Sequence, residues 1–190
     1  MSSDEVIQDV IKNREFTLTV SGLDDERATL KIVYYLKGTR KEGTKVISLI
    51  GGAASGKSTL ARRVANALGN AAIISTDDFL LGSREYRRRY LEGKDPLRKY
   101  GFDLLREKVQ RIKILQPGES ESVPVYEEES GTAIKVIDFD PETGQILSVD
   151  RNHYPRKVEK VEFLIVEGDF HWRDDRDGRM VIVNNPRGGK

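Results

Sequence analysis

Gly51-Gly52-Ala53-Ala54-Ser55-Gly56-Lys57-Ser58 is the stretch that decides how this chain folds. It fits the pattern G-x-x-x-x-G-K-[ST], and it stands in the setting that the pattern needs. Val46, Ile47, Ser48, Leu49 and Ile50 lead in with strand character, and an amphipathic helical run from Thr59 to Leu68 leads out. The glycines allow the backbone to curl until consecutive N–H groups point inward, which makes a cradle for phosphate oxygens. Lys57 supplies a point charge for β and γ oxygens, and the Ser58 hydroxyl can ligate Mg²⁺. The start of the following helix adds its partial positive charge at the same place. The spacing therefore predicts a phosphate-binding loop over Gly51, Gly52, Ala53, Ala54, Ser55, Gly56, Lys57 and Ser58, with Thr59 just inside the helix.

Outward from the loop, strands alternate with helices, which predicts an α/β fold whose parallel sheet is flanked by helices. A second strand runs from Ala71 to Ser75, and basic and amphipathic helices follow over Ser83–Glu92 and Phe102–Leu115. Val123–Glu127 and Ala133–Asp138 read as strands. Asp140-Pro141-Glu142-Thr143-Gly144 reads as a turn, and Ile146–Val149 as its return strand, giving a β-hairpin insertion. Val161–Val166 is a near-continuous apolar run suited to a buried parallel strand, and Met180–Val183 is a shorter one. No element is assigned to the polar stretch around His153, Tyr154 and Arg156. Before the loop, residues 4–13 read as a short helix. Phe16, Leu18 and Val20, then Leu30, Ile32 and Tyr34, alternate with polar residues around a turn at Ser21–Asp25. This predicts a small helix-plus-hairpin appendage over 1–44, joined to a core over 45–190 by a polar linker, Lys37–Gly43.

Composition narrows the function. The chain has 190 residues, enough for an α/β domain with a core, and 32 basic against 31 acidic residues leave a net charge of +1. That balance argues against nucleic acid as a partner. With no cysteine there is no disulfide, no thiolate nucleophile and no thiolate metal site, and two histidines make a poor histidine site. No apolar run reaches the roughly eighteen residues of a membrane span, and the first residues lack a signal-peptide core, so the expectation is a cytoplasmic protein without a membrane partner.

Three acids stand where phosphate chemistry wants them. Asp77 and Asp78 follow the second strand, and ligands of parallel α/β sheets gather beyond the carboxyl ends of strands. A carboxylate there can take the proton of an attacking hydroxyl, hold Mg²⁺ through water, or simply cap a turn. Glu167 follows the apolar Phe163-Leu164-Ile165-Val166 and precedes Gly168, a strand-then-acid pattern that serves Mg²⁺. Arg84, Arg87, Arg88 and Arg89 can form a phosphate-facing surface or a solvated helix face. Four arginines in six residues cannot all point one way.

With these motifs in order, the chain resembles the uridine kinase, phosphoribulokinase and pantothenate kinase family of P-loop kinases, from about residue 45 to 186. Ser75-Thr76-Asp77-Asp78-Phe79-Leu80 is similar to the family's strand-end acid followed by an aromatic, which implies Asp77 as catalytic base. Tyr100-Gly101-Phe102-Asp103-Leu104-Leu105 resembles the opening of the substrate-side helix and implies Asp103 as a substrate contact. Pro124-Val125-Tyr126 resembles the P-x-Y element lining the substrate pocket, and Val166-Glu167-Gly168 the V-E-G after the core strand. The resemblance implies ATP and Mg²⁺ as cofactors, Ser58 and Glu167 at the metal, and Asp78, Asp103 and Tyr126 toward a small hydroxyl-bearing metabolite. Tyr126-Glu127-Glu128-Glu129-Ser130-Gly131 lacks the histidine that contacts nucleosides in uridine kinases, so nucleosides, pantothenate-like compounds and sugar phosphates all stay open as acceptor. Arg173, Arg176 and Arg179 precede the last strand rather than following it, so the family's arginine-bearing lid is expected to be short or missing. A homodimer could supply one. The alternative to a kinase is a nucleotide-binding regulatory module with little or no transfer.

Overall fold

The computed structural model describes residues 16–19, 25–38, 43–52, 54–169 and 179–182. In chain order these form β1 (Phe16–Thr19), α1 (Asp25–Gly38), β2 (Lys45–Ile50), α2 (Lys57–Leu68), β3 (Ala71–Ser75), a 3₁₀ turn (Thr76–Phe79), α3 (Arg84–Leu91), a second 3₁₀ turn (Pro96–Lys99), α4 (Phe102–Ile114), β4 (Ser120–Pro124), β5 (Lys135–Phe139), β6 (Ile146–Asp150), β7 (Pro155–Glu159), β8 (Phe163–Gly168) and β9 (Arg179–Ile182). The chain divides into two compact units, one of Met1–Ile74 with Val161–Lys190 and one of Ser75–Lys160.

The first unit is built on a five-stranded sheet in the order β1-β9-β2-β8-β3. β1 with β9, β9 with β2, and β2 with β8 are parallel. The expected α/β class with its parallel sheet is the one observed. β8 is buried at all six positions, which is why its sequence shows no alternation. Ala28, Ile32 and Leu36 of α1 share one core with Leu60, Ala61, Val64 and Leu68 of α2 and with Ile47, Leu49, Phe163 and Ile165 of the strands.

The hairpin expected before the loop is not formed. Residues 25–38 are helical, and Phe16–Thr19 pairs in parallel with Arg179–Ile182 rather than with a neighbour in sequence. The alternation of Leu30, Ile32 and Tyr34 misleads because two of its members face water: Leu30 is 62% and Tyr34 78% exposed. The stripe that is buried, Ala28-Ile32-Leu36, repeats every four residues and marks a helix face. The helix expected at 4–13 and the turn at Ser21–Asp24 lie outside the described residues.

In the second unit, Phe79, Leu105, Ile112 and Ile134 are fully buried. Phe79–Gly82 is stitched on both sides: the amides of Leu81 and Gly82 donate to the carbonyls of Lys99 and Ile134, and those of Gly101 and Ile134 donate to Phe79 and Leu80. A Cβ at Gly101 would stand 2.9 Å from Cδ1 of Ile134, so that buried side chain would have to shift to admit one. α3 begins at Ser83, whose hydroxyl accepts from the Tyr86 amide at 3.1 Å. β5 and β6 form the expected antiparallel hairpin. β4 ends at Pro124, earlier than the sequence suggests, because the Tyr126 amide donates to Asp78 instead of to a ladder. β7, which the sequence did not betray, pairs antiparallel with β4. It begins on a proline and only Val158 in it is buried, so it carries almost no apolar pattern. Lys108 of α4 and Glu121 of β4 meet at 2.7 Å with both side chains nearly enclosed.

Candidate active site

The loop of the first unit leaves β2 beside the end of β8, in a register that places Ile50 opposite Gly168. The Gly51 amide donates to the Gly168 carbonyl at 3.3 Å, and the Ser55 amide closes a turn on the Gly52 carbonyl at 3.1 Å. Ala54 and Gly56 take left-handed conformations, with φ of 58° and 84°, and these bends curl the loop. Ala53 lies outside the described residues. Gly56 sits at the N-cap of α2 and brings no side-chain cap, so the first-turn amides remain available to an anion. Thr59 is exposed in that first turn. The Ser55 hydroxyl is buried without a hydrogen-bond partner among the described residues, a polar group in need of a ligand atom or water.

Ser58 and Glu167, chosen separately from sequence, meet here: the Ser58 hydroxyl donates to Oε2 of Glu167 at 3.1 Å. Glu167 is only 7% exposed. A hydroxyl and a carboxylate side by side at a phosphate loop are hard oxygen donors of the kind Mg²⁺ takes, so these residues fit that ion. Lys57 pairs with Asp169 at 2.6 Å. Asp169 was missed from sequence, although it stands two residues after Glu167.

The second unit gathers another set. Asp77 is exposed on the 3₁₀ turn after β3, and the Tyr100 hydroxyl lies 3.5 Å from its Oδ1. Asp78 points the other way and is buried. It accepts from the amides of Ser75 at 3.1 Å and Tyr126 at 3.0 Å, and Arg156 stands 3.6 Å from its Oδ2. Asp78 thus holds Tyr126 and Arg156 in place. The Tyr126 hydroxyl accepts from Arg84 at 3.2 Å, and Arg84 also donates to the Glu128 carbonyl at 2.9 Å. Arg87, one turn along α3, donates to the carbonyls of Leu81 and Gly82. Burial holds the Arg87 guanidinium below its ordinary pKa and Arg84 adds to the fall, while Tyr126, Tyr100 and Asp77 act in the opposite sense. Asp103 is fully exposed at the start of α4 and pairs with Arg106 at 2.6 Å. Of the four arginines of α3, Arg84 and Arg87 thus share the face toward Tyr126, while Arg88 and Arg89 are exposed. His171, Trp172, Arg173 and Arg176 lie outside the described residues.

A glycine-rich loop after one parallel strand and an acid at the end of its neighbour give an α/β fold of the P-loop type. Among solved structures the chain is similar to a possible uridine kinase from Bacillus stearothermophilus, with a TM-score of 0.58 and 17% identity over 83% of this chain and 79% of that one. It is also similar to a protein described as a fructose transport system kinase from Silicibacter sp. TM1040, with a TM-score of 0.52 and 21% identity over 78% of this chain and 65% of that one. A third, the YGR205w protein, gives a TM-score of 0.51 at 19% identity and is spanned over 53% of its length. No family model and no curated protein matches the sequence. The chain shares the α/β fold of these structures, a parallel sheet flanked by helices. No described helix is long and apolar enough to cross a membrane.

Proposed function

We propose that the chain is an ATP- and Mg²⁺-dependent phosphotransferase acting on a hydroxyl of a small metabolite. The observation that carries this reading is the Ser58–Glu167 contact beside Lys57, two metal-side oxygens delivered to a loop shaped for phosphate. Lys57, the loop amides from Gly51 to Ser58 and the start of α2 at Thr59 bind and orient the ATP phosphates. Ser58 and Glu167 hold Mg²⁺, which when bound neutralises charge on the phosphate oxygens. Asp77, exposed and within reach of the Tyr100 hydroxyl, takes the proton of the acceptor hydroxyl. Tyr126 lines the acceptor's place, Asp78 positions Tyr126, and Asp103 offers an exposed carboxylate to acceptor hydroxyls. Such transfer depends on positioning and electrostatics more than on covalent chemistry.

The test is ADP release with Mg²⁺ against nucleosides, hydroxy acids and sugar phosphates, run beside Asp77→Asn. The expected result is one acceptor phosphorylated, with a loss of about 10²–10⁴-fold in kcat for Asp77→Asn and unchanged ATP binding. ATP binding with no acceptor phosphorylated would turn the reading toward a nucleotide-binding regulatory module.

A further inference from the structure

We propose that the acceptor carries an oxyanion, a carboxylate or a phosphate, in addition to the hydroxyl that is phosphorylated, and that Arg84 and Arg87 receive it. This rests on the phosphotransferase reading above and names the substrate class of the same site.

The argument begins with what the two guanidiniums touch. Arg84 donates to a phenol oxygen and a backbone carbonyl, and Arg87 donates to two backbone carbonyls. All four acceptors are neutral. Among the described residues neither guanidinium has a carboxylate within ion-pair distance. Glu127, the acid whose field Arg84 feels, is engaged by the amides of Glu129 and Ser130. Asp78 is engaged by two amides and Arg156. Arg87 is half-buried and feels Asp77 only from beyond pairing distance, an arrangement costly for a cation without a paired anion, and a guanidinium presents five donors in a fork that matches carboxylate and phosphate. Each arginine also spends only one of its terminal nitrogens on the contacts above, so donors remain for a ligand.

The arginines are held for this purpose. Arg87 is tied to the Leu81–Gly82 backbone, which is itself stitched to Lys99 and Ile134. Arg84 is tied to Tyr126, which Asp78 fixes through its amide. Arg84 packs closely enough on Gly131 that a Cβ there would stand 2.4 Å from its Cγ. Asp77, facing Tyr100, belongs to the same cluster. An acceptor bridging the arginines and Asp77 presents an anion to one end and a hydroxyl to the other. In the transfer, the hydroxyl oxygen bonds to the γ-phosphorus, the bond from that phosphorus to the β–γ bridging oxygen breaks, ADP leaves, and the hydroxyl proton passes to Asp77. A neutral nucleoside would leave both guanidiniums uncompensated.

The experiment uses acceptor pairs that differ in charge: D-glycerate with glycerol, pantothenate with pantothenol, ribose 5-phosphate with ribose, and uridine as a further neutral compound. The carboxylate and phosphate pairs distinguish the two forms of oxyanion. For the pair that is turned over, kcat/KM is expected to favour the anionic member about a hundredfold. Arg84→Gln and Arg87→Gln should each remove about tenfold of that preference, through KM of the anionic member. Arg84 is exposed, so its variant reads out even if loss of Arg87 disturbs folding. Equal or better use of a neutral member, or a preference that survives Arg84→Gln, overturns the proposal. Calorimetric titration of D-glycerate and ribose 5-phosphate reads the same site without turnover. Arginine-dependent binding with no product would keep the anion site and sink the phosphotransferase reading, whereas turnover of uridine alone would do the reverse.

Discussion

On the side proposed for phosphate the main chain offers most of the donors: amides of the loop, two left-handed residues and the open start of α2, with Lys57, Ser58 and Glu167 as the side chains beside them. On the acceptor side the proportions are reversed. Side chains from the 3₁₀ turn after β3, from α3, from the loop after β4 and from β7 converge, and each is held by another side chain or a carbonyl. A backbone cradle suits a ligand group that never changes. A cluster of side chains from Asp77 to Arg156 can be re-specified one residue at a time, so under the proposed function acceptor identity would be written there.

Lys57→Ala should separate the two sides most sharply. Turnover is expected to fall about 10²–10³-fold, as on removal of a positioned charge stabiliser, while titration shows an anionic acceptor still binding the second unit. Loss of both would mean the sides are not independent. The next largest effect concerns the second unit's frame. Glu121→Ala strands Lys108 in an enclosed place, and urea unfolding should report a loss of about 3–5 kcal/mol. Replacing both, as Lys108→Met with Glu121→Leu, should recover most of it. If the double variant is as weak as the single, the pair does more than neutralise itself. The smallest effect is acid softening of two turns. Hydrogen bonds from Ser130, with help from the Glu129 amide, hold the Glu127 pKa below its usual range, and the Glu142 and Thr143 amides do so for Asp140. Depressed carboxylates stabilise above their ordinary pKa, and the contribution fades as pH falls through the folded value. Protection of the Ser130 and Thr143 amides, measured against their intrinsic exchange at each pH, should therefore fall below the ordinary carboxylate range and hold above it.

The same contrast explains what could be read in advance. The loop, Glu167 and the buried run of β8 were legible because each is contiguous and its chemistry is local. The position of Asp77 just past β3 was legible because the strand before it is. The partnership of Arg84 with Tyr126, and of Arg156 with Asp78, joins residues 42 and 78 positions apart, and no local pattern announces it. α1 was misread because Leu30 and Tyr34 put apolar side chains on a solvent face and so imitated a strand. β7 was missed because burial asks for only one apolar residue in it.

The contact between Lys57 and Asp169 has a consequence for how the loop selects its ligand. The lysine already has an anion, so the phosphate proposed for it would have to win an exchange rather than fill a gap. Weak or singly charged anions would lose that contest, and a polyphosphate that also engaged the loop amides would win it. On the proposed reading Asp169 would act as a threshold, trading some affinity for discrimination against the small anions that surround any protein in solution.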